Sequence, residues 1–584
     1  MNVLGITDGI TCGAAAVRDG HIVAAVNEER LVRKKMAFGF PTRAIREVLR
    51  LARWSPADVD RVAVATRDNY FAYECRPWDG WFESKTDGSL RSRIFAAASL
   101  LGPSAGAVKG LGRVYHHVRR PLFLSRRRRI QAILRDDFDV TARIAFLNHH
   151  YAHAASAYYT SGFEDALVVT LDGGGDGASS QVYEVTGGKF RRLNEVSSYD
   201  SLGNYYAYVT AVCGFKAQKH EGKITGLAAH GVPKYVDVLD GLITYRDGQI
   251  VNDGRLLFRG ALPGIRHRLP PDYRREDLAA SIQIHAEHLV TSYVRYWLDR
   301  VTPRDVALAG GVFANVRINQ RVHELESVRR LFIHPAMDDS GLAVGAALLV
   351  AHGSEPGAPG PLPHVYVGPA YGAREIETAL KATDLPHRYC LAIEAEVARL
   401  LAEGHVVARF NGPMEYGPRA LGNRSILYTP TDPSVNDWLN TALRRTEFMP
   451  FAPSTLEEHA GACYEHLSGA IDPARFMTIT FQCTPWMRER CPGVVHLDGS
   501  ARPQLVSRAG NRSYYTIIDE FRKRTGLPTI INTSFNIHEE PIVCSPEDAI
   551  RAFRIGHLDY LAIGDFLVRN PRAPVRERRP VAGA

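Results

Sequence analysis

Apolar segments near the start of the chain alternate with short polar and glycine-rich turns. Segments with strand-like apolar patterning lie at 3–6, 13–18, 21–27 and 58–66. Asp19-Gly20, between the second and third of these strands, is a two-residue hairpin signal. Residues 41–52 have helical periodicity. The pattern predicts an α/β protein whose first sheet begins at the first residues of the sequence.

The middle of the chain places chemically useful residues at the ends of predicted strands. The apolar run 144–147 predicts a buried strand, and the alanine-rich run behind it predicts a helix that begins near His149. A second apolar strand ends at Asp172, which opens the glycine-rich turn 173–175. A third strand runs into Gly310-Gly311. Glycine turns of this kind let phosphate or adenosine approach the backbone.

Glycine and proline are concentrated at residues 353–363, the clearest linker composition in the chain. We therefore predict an N-terminal domain at 1–352, a linker at 353–365 and a C-terminal domain at 366–584. Residues 68–140 show no clear periodicity. We interpret them as an insertion that shapes an acceptor pocket or an interface.

Composition narrows the class of protein. The chain has 584 residues, of which 45% are apolar and 23% charged, as in soluble globular proteins. The net charge of +8 is compatible with anionic substrates. The eight cysteines form no CxxC pair, which argues against a zinc knuckle and a disulfide framework. A reducing cytoplasm is the expected compartment, and no apolar run is long enough to span a membrane.

Arginines are concentrated at positions 119–120 and 126–129. No aromatic residues alternate with them as stacking platforms for nucleic acid would require. We interpret this run as a solvated surface loop or helix start, and expect no nucleic-acid partner.

The central histidines are candidate metal ligands. On a helix His149 and His153 lie at i and i+4, so both rings project from one face. His pairs at this spacing are more often structural, and His150, which points away from the other two, is interpreted as a packing residue. Asp172 and one aspartate of the pair Asp338-Asp339 could complete a two-His, two-Asp site. Such a site suits iron, manganese or zinc.

Oxyanion-binding candidates occur in both predicted domains. Lys223 lies beside Gly222 and close to Gly226, where it could meet a phosphate or simply be a surface lysine at a helix start. Asn315 lies on the helix behind the Gly-Gly turn. In the second half, several arginines stand beside glycine, proline or small residues. Because an arginine fork binds phosphate or carboxylate with two bonds at once, these clusters favour an oxyanion site.

With these residues in view, the chain resembles the carbamoyltransferase family that includes the tobramycin, cephamycin and nodulation-factor O-carbamoyltransferases. The motifs that carry the resemblance are NHHYAHAASAYY, GKITGLAAHG, AGGV, YGPRALGNRS, PFAPS and INTSFN. The resemblance covers nearly the whole chain. It implies an N-terminal actin-like, sugar-kinase-like domain, similar to the universal tRNA-threonylcarbamoyladenosine enzyme, and a C-terminal YrdC-like α/β domain.

The resemblance also implies a chemistry. The C-terminal domain converts carbamoyl phosphate to carbamate, which passes internally to the N-terminal domain. There ATP, with Mg(II), converts carbamate to carbamoyl adenylate, and a hydroxyl of a small natural product or sugar attacks it and releases AMP. Because carbamate decomposes in water, a closed route between the sites would prevent its loss. A homodimer is compatible with this interpretation.

Residue roles are carried over from the family by motif. The metal, Fe(II) or another divalent ion, would be held by His149, His153, Asp172 and Asp339, the last because the family's aspartate lies two residues before a glycine, here Gly341. His149, His153, Asp172 and Lys223 would be the catalytic residues. The nucleotide would be lined by Gly173, Gly174, Gly175, Lys223, Gly226, Gly310, Gly311 and Asn315. Carbamoyl phosphate would be held by Arg419, Arg424, Arg444, Arg502 and Asn532.

The chain departs from the family at two places. Ile10-Thr11-Cys12-Gly13 stands where other members have a His-containing turn, so another group must serve if that histidine acts on the acceptor or the carbamoyl group. Met449 stands before PFAPS where some members have arginine, and Arg444 and Arg445 are near enough in sequence to replace its charge.

Three other functions are alternatives to the transferase. A tRNA threonylcarbamoyl transferase is disfavoured because the C-terminal half carries its own arginine clusters and no stacking surface is evident. A non-catalytic nucleotide-binding protein on an actin-like fold is disfavoured by the retained His/His/Asp/Asp set. A kinase would leave the C-terminal domain without a role.

Overall fold

A computed structural model describes residues 1–69, 71–78, 111–353, 360–443, 451–574 and 581. The chain divides into two compact units. The first contains Met1–Val23 and Met36–Pro361, and the second contains Ala24–Lys35 and Leu362–Ala584. The short segment Ala24–Lys35 thus belongs with the C-terminal half, although it lies in the first strand-turn-strand region of the sequence.

The strands of the N-terminal half follow the predicted turns. Both residues of the Asp19-Gly20 hairpin have positive φ, 50° and 79°, as a tight hairpin between twisted strands requires. The strands are β1 (Asn2–Thr7), β2 (Gly13–Arg18), β3 (His21–Asn27), β4 (Ala37–Phe38), β5 (Arg61–Ala65), β6 (Arg76–Pro77), β7 (Arg143–Leu147), β8 (Asp165–Gly175), β9 (Ala178–Thr186), β10 (Lys189–Ser197), β11 (Thr244–Arg246), β12 (Gln249–Val251), β13 (Asp305–Ala309) and β14 (Arg330–Ile333).

The helices between residues 1 and 352, of which the first lies in the segment that belongs to the second unit, include those that the periodicity predicted near 41–52 and after residue 147. They are α1 (Glu28–Val32), α2 (Thr42–Ala52), α3 (Leu111–Asp136), α4 (His149–Ser161), α5 (Leu202–Val212), α6 (Glu221–Ala228), α7 (Val236–Asp240), α8 (Phe258–Arg266), α9 (Arg275–Leu298), α10 (Val316–His323) and α11 (Leu342–His352). Helix α3 occupies part of the region 68–140, which shows no clear periodicity in the sequence.

The two main sheets of the first unit share one topology. The strand orders are β3-β2-β1-β5-β7 and β10-β9-β8-β13-β14. In the first sheet the central strand β1 pairs antiparallel with β2 and parallel with β5, and β5 pairs parallel with β7. In the second sheet the central strand β8 pairs in the same way with β9 and β13, and β13 pairs parallel with β14. This duplicated order is that of the actin-like, sugar-kinase-like fold, which confirms the predicted fold class of the N-terminal half.

Helices α4 and α11 pack against each other in the core of the first unit. Nearly every residue of α4 is buried, and α11 also covers β1. A Cβ at Gly345 of α11 would lie 1.9 Å from the carbonyl oxygen of Ala152 in α4, so only glycine permits this approach. The contact brings the start of α11 close to the first turns of α4, where the central histidines lie.

The second unit is built on one large mixed sheet of order β15-β24-β23-β16-β17-β22-β18-β21. The strands of this sheet are β15 (His387–Tyr389), β16 (Val407–Phe410), β17 (Arg424–Tyr428), β18 (Ala452–Leu456), β21 (Gln504–Val506), β22 (Thr529–Ser534), β23 (Tyr560–Ile563) and β24 (Phe566–Arg569), while β19 (Phe481–Gln482) and β20 (Ser500–Ala501) pair with each other in a separate two-stranded sheet. Its other helices are α12 (Ala373–Lys381), α13 (Ile393–Ala402), α14 (Val435–Ala442), α15 (Ala460–Cys463), α16 (Ile471–Arg475), α17 (Pro485–Arg490), α18 (Arg512–Thr525) and α19 (Pro546–Ile555). The YrdC-like assignment of this half stays a prediction.

Candidate functional site

Four side chains converge in the core of the first unit: His149 and His153 from the first turns of α4, Asp172 from β8, and Asp339 from the short turn before α11. The Nε2 atoms of His149 and His153 lie 3.1 and 3.2 Å from Asp172 Oδ2. The same atoms lie 3.5 and 3.4 Å from Asp339 Oδ1. All four potential ligand atoms are within 4.8 Å of one another.

Local sequence explains why the two rings face the carboxylates. The Asn148 side chain caps α4 by accepting from the backbone N–H of Tyr151, which fixes the first helical residue at His149. The i, i+4 spacing then places both imidazoles on one face. A Cβ at Gly175 would lie 2.2 Å from Cγ of His149, so glycine is needed for the glycine-rich turn to pass this ring.

The electrostatics of this cluster fit a cation. Burial lowers the pKa of His153, but the carboxylates of Asp172 and Asp339 more than offset it and raise the pKa to about 9. Burial also raises the pKa of Asp172, yet His149 and His153 hold it well below its ordinary value. Asp339 Oδ1 is buried and accepts no hydrogen bond within the described residues. Two facing carboxylates and two imidazoles therefore fit a divalent ion.

The neighbouring candidates have structural positions. Asp338 Oδ1 accepts from the backbone N–H of Ser340, 3.0 Å away, and caps the turn that carries Asp339. His150 contacts Thr170 Oγ1 through Nδ1 and the carbonyl of Ala178 through Nε2, each at 2.9 Å. Burial lowers the pKa of His150 to about 3, so this ring is neutral. These contacts match the interpretation of His150 as a packing residue.

The two predicted glycine turns meet at this cluster. A Cβ on Gly311 would lie 3.0 Å from Asp172 Oδ1, and one on Gly310 would lie 2.1 Å from the carbonyl oxygen of Leu171. The N–H of Gly173 donates to Asp172 Oδ1 at 2.6 Å, and that of Gly310 donates to Met337 at 2.6 Å. These two donors are thus used within the protein.

The other nucleotide candidates lie on or near α6. Lys223 and Gly226 are buried residues of that helix. Asn315 caps α10, and its Nδ2 donates to Gln283 Oε1 at 2.8 Å. Tyr206 links Gln283 of α9 to α6, since its hydroxyl donates to Gln283 Oε1 at 2.8 Å and lies 3.2 Å from the hydroxyl of Thr225 in α6. A polar network thus connects Asn315 with the helix that carries Lys223, and the nucleotide role of these residues stays a prediction.

In the second unit the loop that carries the motif YGPRALGNRS is organised by a buried carboxylate. Glu415 Oε1 accepts from the backbone N–H groups of Leu421, Asn423 and Arg424, at 2.9, 2.7 and 3.1 Å. The composition of the motif drew attention to its arginines, and Glu415 was missed. It precedes the motif by one residue, and nothing in its spacing distinguishes it from a surface glutamate.

The predicted carbamoyl-phosphate residues have different environments. The guanidinium of Arg424 is fully buried and donates to the carbonyls of Asn411, Asn423, Pro369 and Gly412. Asn532 Nδ2 likewise donates to Ala420, Ser454 and Gln504. Both side chains therefore belong to the scaffold of the loop. Arg419 and Arg502 are half-buried, and Arg444 lies outside the described residues. The binding role of all five stays a prediction.

One interpretation of the arginine run is wrong. Arg126 is 1% exposed and pairs with Asp8, so it is not part of a solvated surface. The signal that could have found it is helical spacing, because Phe123, Arg126, Ile130 and Leu134 share one buried face of α3. Thr66 and Asp176, which contact His149, were also missed as functional residues.

The fold and the four-residue cluster define an actin-like protein with a candidate His/Asp metal centre. The described helices include none that is long and apolar enough to cross a membrane. Sequence profiles described as the carbamoyltransferase N-terminus and the carbamoyltransferase C-terminus match residues 2–348 and 398–570. The chain therefore belongs to the carbamoyltransferase family, and it is an enzyme of that class.

Individual relatives agree with the family. Nodulation protein NolNO of Sinorhizobium fredii is 33% identical over 578 residues, covering 96% of this chain and 79% of that protein. Nodulation protein NolO of Bradyrhizobium diazoefficiens is 35% identical over 455 residues, covering 75% of this chain and 81% of that protein. Among solved structures, component A of the (R)-2-hydroxyglutaryl-CoA dehydratase of Acidaminococcus fermentans covers 61% of this chain and 99% of its own, at 14% identity and a TM-score of 0.33.

Proposed function

We propose that the protein is an ATP-dependent O-carbamoyltransferase. Water and carbamoyl phosphate give carbamate and inorganic phosphate in the second unit. In the first unit carbamate displaces pyrophosphate from ATP and forms carbamoyl adenylate. A hydroxyl of a small natural product or sugar then attacks the carbamoyl carbon, loses its proton and releases AMP. An acceptor of this kind would place the enzyme in natural-product tailoring, such as antibiotic biosynthesis.

The observation that carries the proposal is the convergence of His149, His153, Asp172 and Asp339 within 4.8 Å, beside two glycine turns on an actin-like fold. These four side chains would hold a divalent cation, Fe(II) by the family resemblance, and a bound cation would neutralise nucleotide phosphate charge. ATP itself would carry Mg(II). Asp172 already pairs with both imidazoles, so a purely structural histidine cluster would not need a second carboxylate that faces the same two rings.

The backbone beside the cluster would bind the phosphates. Gly174 and Gly311 supply the close approach, while Gly173 and Gly310 already donate their N–H groups to protein atoms. Lys223 would add a positive charge that offsets phosphate charge in the transition state. In the second unit Arg419 and Arg502, both half-buried, would orient the carbamoyl phosphate.

The test is product analysis with a matched pair of aspartate variants. The protein is incubated with Fe(II), ATP and carbamoyl phosphate, and AMP, pyrophosphate and phosphate are measured. Asp339→Asn should reduce AMP formation by more than the roughly 10–100-fold that loss of an outer-shell contact costs. Asp338→Asn is the control, because asparagine caps a turn as well as aspartate does. It should keep activity within about threefold of the parent.

Three outcomes decide the proposal. AMP and pyrophosphate that depend on carbamoyl phosphate and disappear in Asp339→Asn support it. ADP formed without carbamoyl phosphate would instead identify a kinase or ATPase. Equal activity of the two aspartate variants would show that the four-residue cluster is not the reaction centre.

A further inference from the structure

The turn after β5 is held in an uncommon conformation next to the metal centre. Thr66 has φ of 67°, in the left-handed region that β-branched residues rarely adopt because it strains the backbone. Its hydroxyl Oγ1 lies 3.1 Å from Nδ1 of His149, on the side of the ring away from the carboxylates. The surrounding structure must therefore stabilise this turn, and it does so from two sides.

The guanidinium of Arg126 in α3 contacts the backbone carbonyl oxygens of the turn. Its Nη1 donates to the carbonyls of Thr66 and Arg67 at 2.9 and 3.2 Å, and its Nη2 donates to that of Ala65 at 3.4 Å. The same guanidinium forms a two-bond pair with the Asp8 carboxylate, with Nε donating to Oδ2 at 2.8 Å and Nη2 to Oδ1. Both side chains are almost fully buried, so the fork has one fixed orientation.

The carboxylate of Asp176 contacts the backbone N–H groups of the same turn. Its carboxylate accepts from Arg67 at 3.0 Å and from Asp68 at 2.9 Å. It also accepts from the backbone N–H of His149 at 2.8 Å. The Asp176 carboxylate therefore joins the turn to the first residue of α4. Together with Arg126, it fixes the position of Thr66 relative to the His149 ring.

We propose that Arg126, acting through Thr66, is a positioning residue that fixes the ring orientation and tautomer of His149 for metal binding. Nδ1–H of His149 donates to Thr66 Oγ1, which leaves the lone pair of Nε2 directed at the four-residue cluster. The inference rests on the proposed metal centre. Outer-shell contacts of this kind raise the basicity of a ligating imidazole and hold it in place.

The expected effects follow from which contact each variant removes. Thr66→Val keeps the shape of the side chain but removes the hydroxyl, and should weaken Co(II) binding by about 10–100-fold. Thr66→Ser keeps the hydroxyl and should stay within about threefold of the parent. Arg126→Lys loses the planar fork and should weaken binding by about tenfold. Arg128→Lys is the matched control, because Arg128 is exposed on the same helix.

The decisive measurement is a double-mutant cycle on Co(II) affinity, by competition with a chromophoric chelator. If Arg126 acts through Thr66, adding Arg126→Lys to Thr66→Val should weaken binding by less than about twofold further. An undiminished tenfold loss in the Thr66→Val background would overturn the inference, as would Thr66→Val binding that equals the parent. Thermal midpoints are measured alongside, and Asp8→Asn replaces Arg126→Lys in the cycle if the latter does not fold.

One more variant separates this inference from the proposed function. Loss of Co(II) binding in His149→Ala together with full binding in Thr66→Val would overturn only the role of Thr66 and Arg126. Equal Co(II) binding by the parent and His149→Ala would instead remove the proposed metal centre and the inference with it.

Discussion

Gly175 provides the most direct test of the candidate metal centre, because the three atoms nearest to a Cβ at this position all belong to one candidate ligand. A Cβ at this position would lie 2.2, 2.4 and 2.5 Å from the Cγ, Cδ2 and Nδ1 atoms of His149. The φ of Gly175 is not in the positive region that L residues avoid, so alanine would add no backbone strain. Gly175→Ala therefore acts through the contact between the glycine-rich turn and the His149 ring.

The size of the perturbation follows from these distances. Ordinary contacts begin near 3.4 Å, so the ring or the turn must move by about 1.2 Å. Metal–ligand distances tolerate about 0.2 Å. The displaced Nε2 would thus lose its place beside Asp172 Oδ2, now 3.1 Å away. We expect at least about 100-fold weaker metal binding, or about 2.7 kcal/mol, and about 1–3 kcal/mol lost from overpacking.

The assay is metal competition with a chelator on the full chain, with thermal unfolding measured in parallel. Gly260→Ala is the matched control, since a Cβ at Gly260 in α8 would meet nothing within 4 Å. It should leave metal affinity within error of the parent and should not lower the thermal midpoint, because alanine is the better helix former. Gly175→Ala binding within twofold of the parent, in folded protein, would refute the assignment of His149 as a ligand.

Three further variants test other parts of the structure. Gly345→Ala should separate α11 from α4 and lower the thermal midpoint by several degrees, because its Cβ would lie 1.9 Å from Ala152 O. Arg424→Met should lower the midpoint of the second unit by roughly 6–12 °C, since four carbonyls lose their donors, whereas exposed Arg508→Met should not. Burial raises the pKa of Glu221 from 4.5 to about 7, so the folded state keeps its proton in that window while the unfolded state ionises. Stability contributed by this proton is therefore lost as pH rises from 4.5 to 7, and Glu221→Gln should be about 2 kcal/mol more stable than the parent at pH 8 but equal to it at pH 4, by urea denaturation.

The cluster could be predicted from the sequence because two short-range rules carry most of it. Helical spacing fixes the relative directions of His149 and His153 whatever the rest of the chain does. Asp172 comes directly after an apolar strand, and strand ends and helix starts meet at one edge of such a sheet. The choice between Asp338 and Asp339 depends on the family resemblance. Both residues are aspartates at adjacent positions, so residue type alone does not show which one caps the turn and which one is the candidate ligand.

The contacts around the cluster could not be predicted in the same way, because they join distant parts of the chain. Arg126 and Asp8 are separated by 118 positions and Thr66 and His149 by 83. Composition placed Arg126 with its three arginine neighbours, although the apolar residues on either side mark a buried helix face. Arg424 is the opposite case, a residue expected to bind a ligand that instead contacts the protein backbone. Its glycine-rich and polar neighbours predict an oxyanion site, whereas four nearby carbonyls occupy most of its donors.

In the glycine-rich segments the reason for each glycine must be examined separately before the segment is interpreted as a phosphate-binding turn. Gly175 is needed because the ring of His149 lies against it. Gly310 is needed because a Cβ there would lie 2.1 Å from the carbonyl oxygen of Leu171, while the N–H of Gly310 donates to the carbonyl of Met337. A turn can therefore be rich in glycine for packing alone, yet here the same packing places the backbone beside Asp172. Gly173 and Gly310 use their N–H groups within the protein, so we expect a phosphate beside the candidate metal centre to meet the backbone at Gly174 and Gly311. A substitution at Gly174 should therefore weaken nucleotide binding more than metal binding, and Gly175→Ala should do the reverse, whereas a Cβ at Gly311 would also press on Asp172 Oδ1, 3.0 Å away.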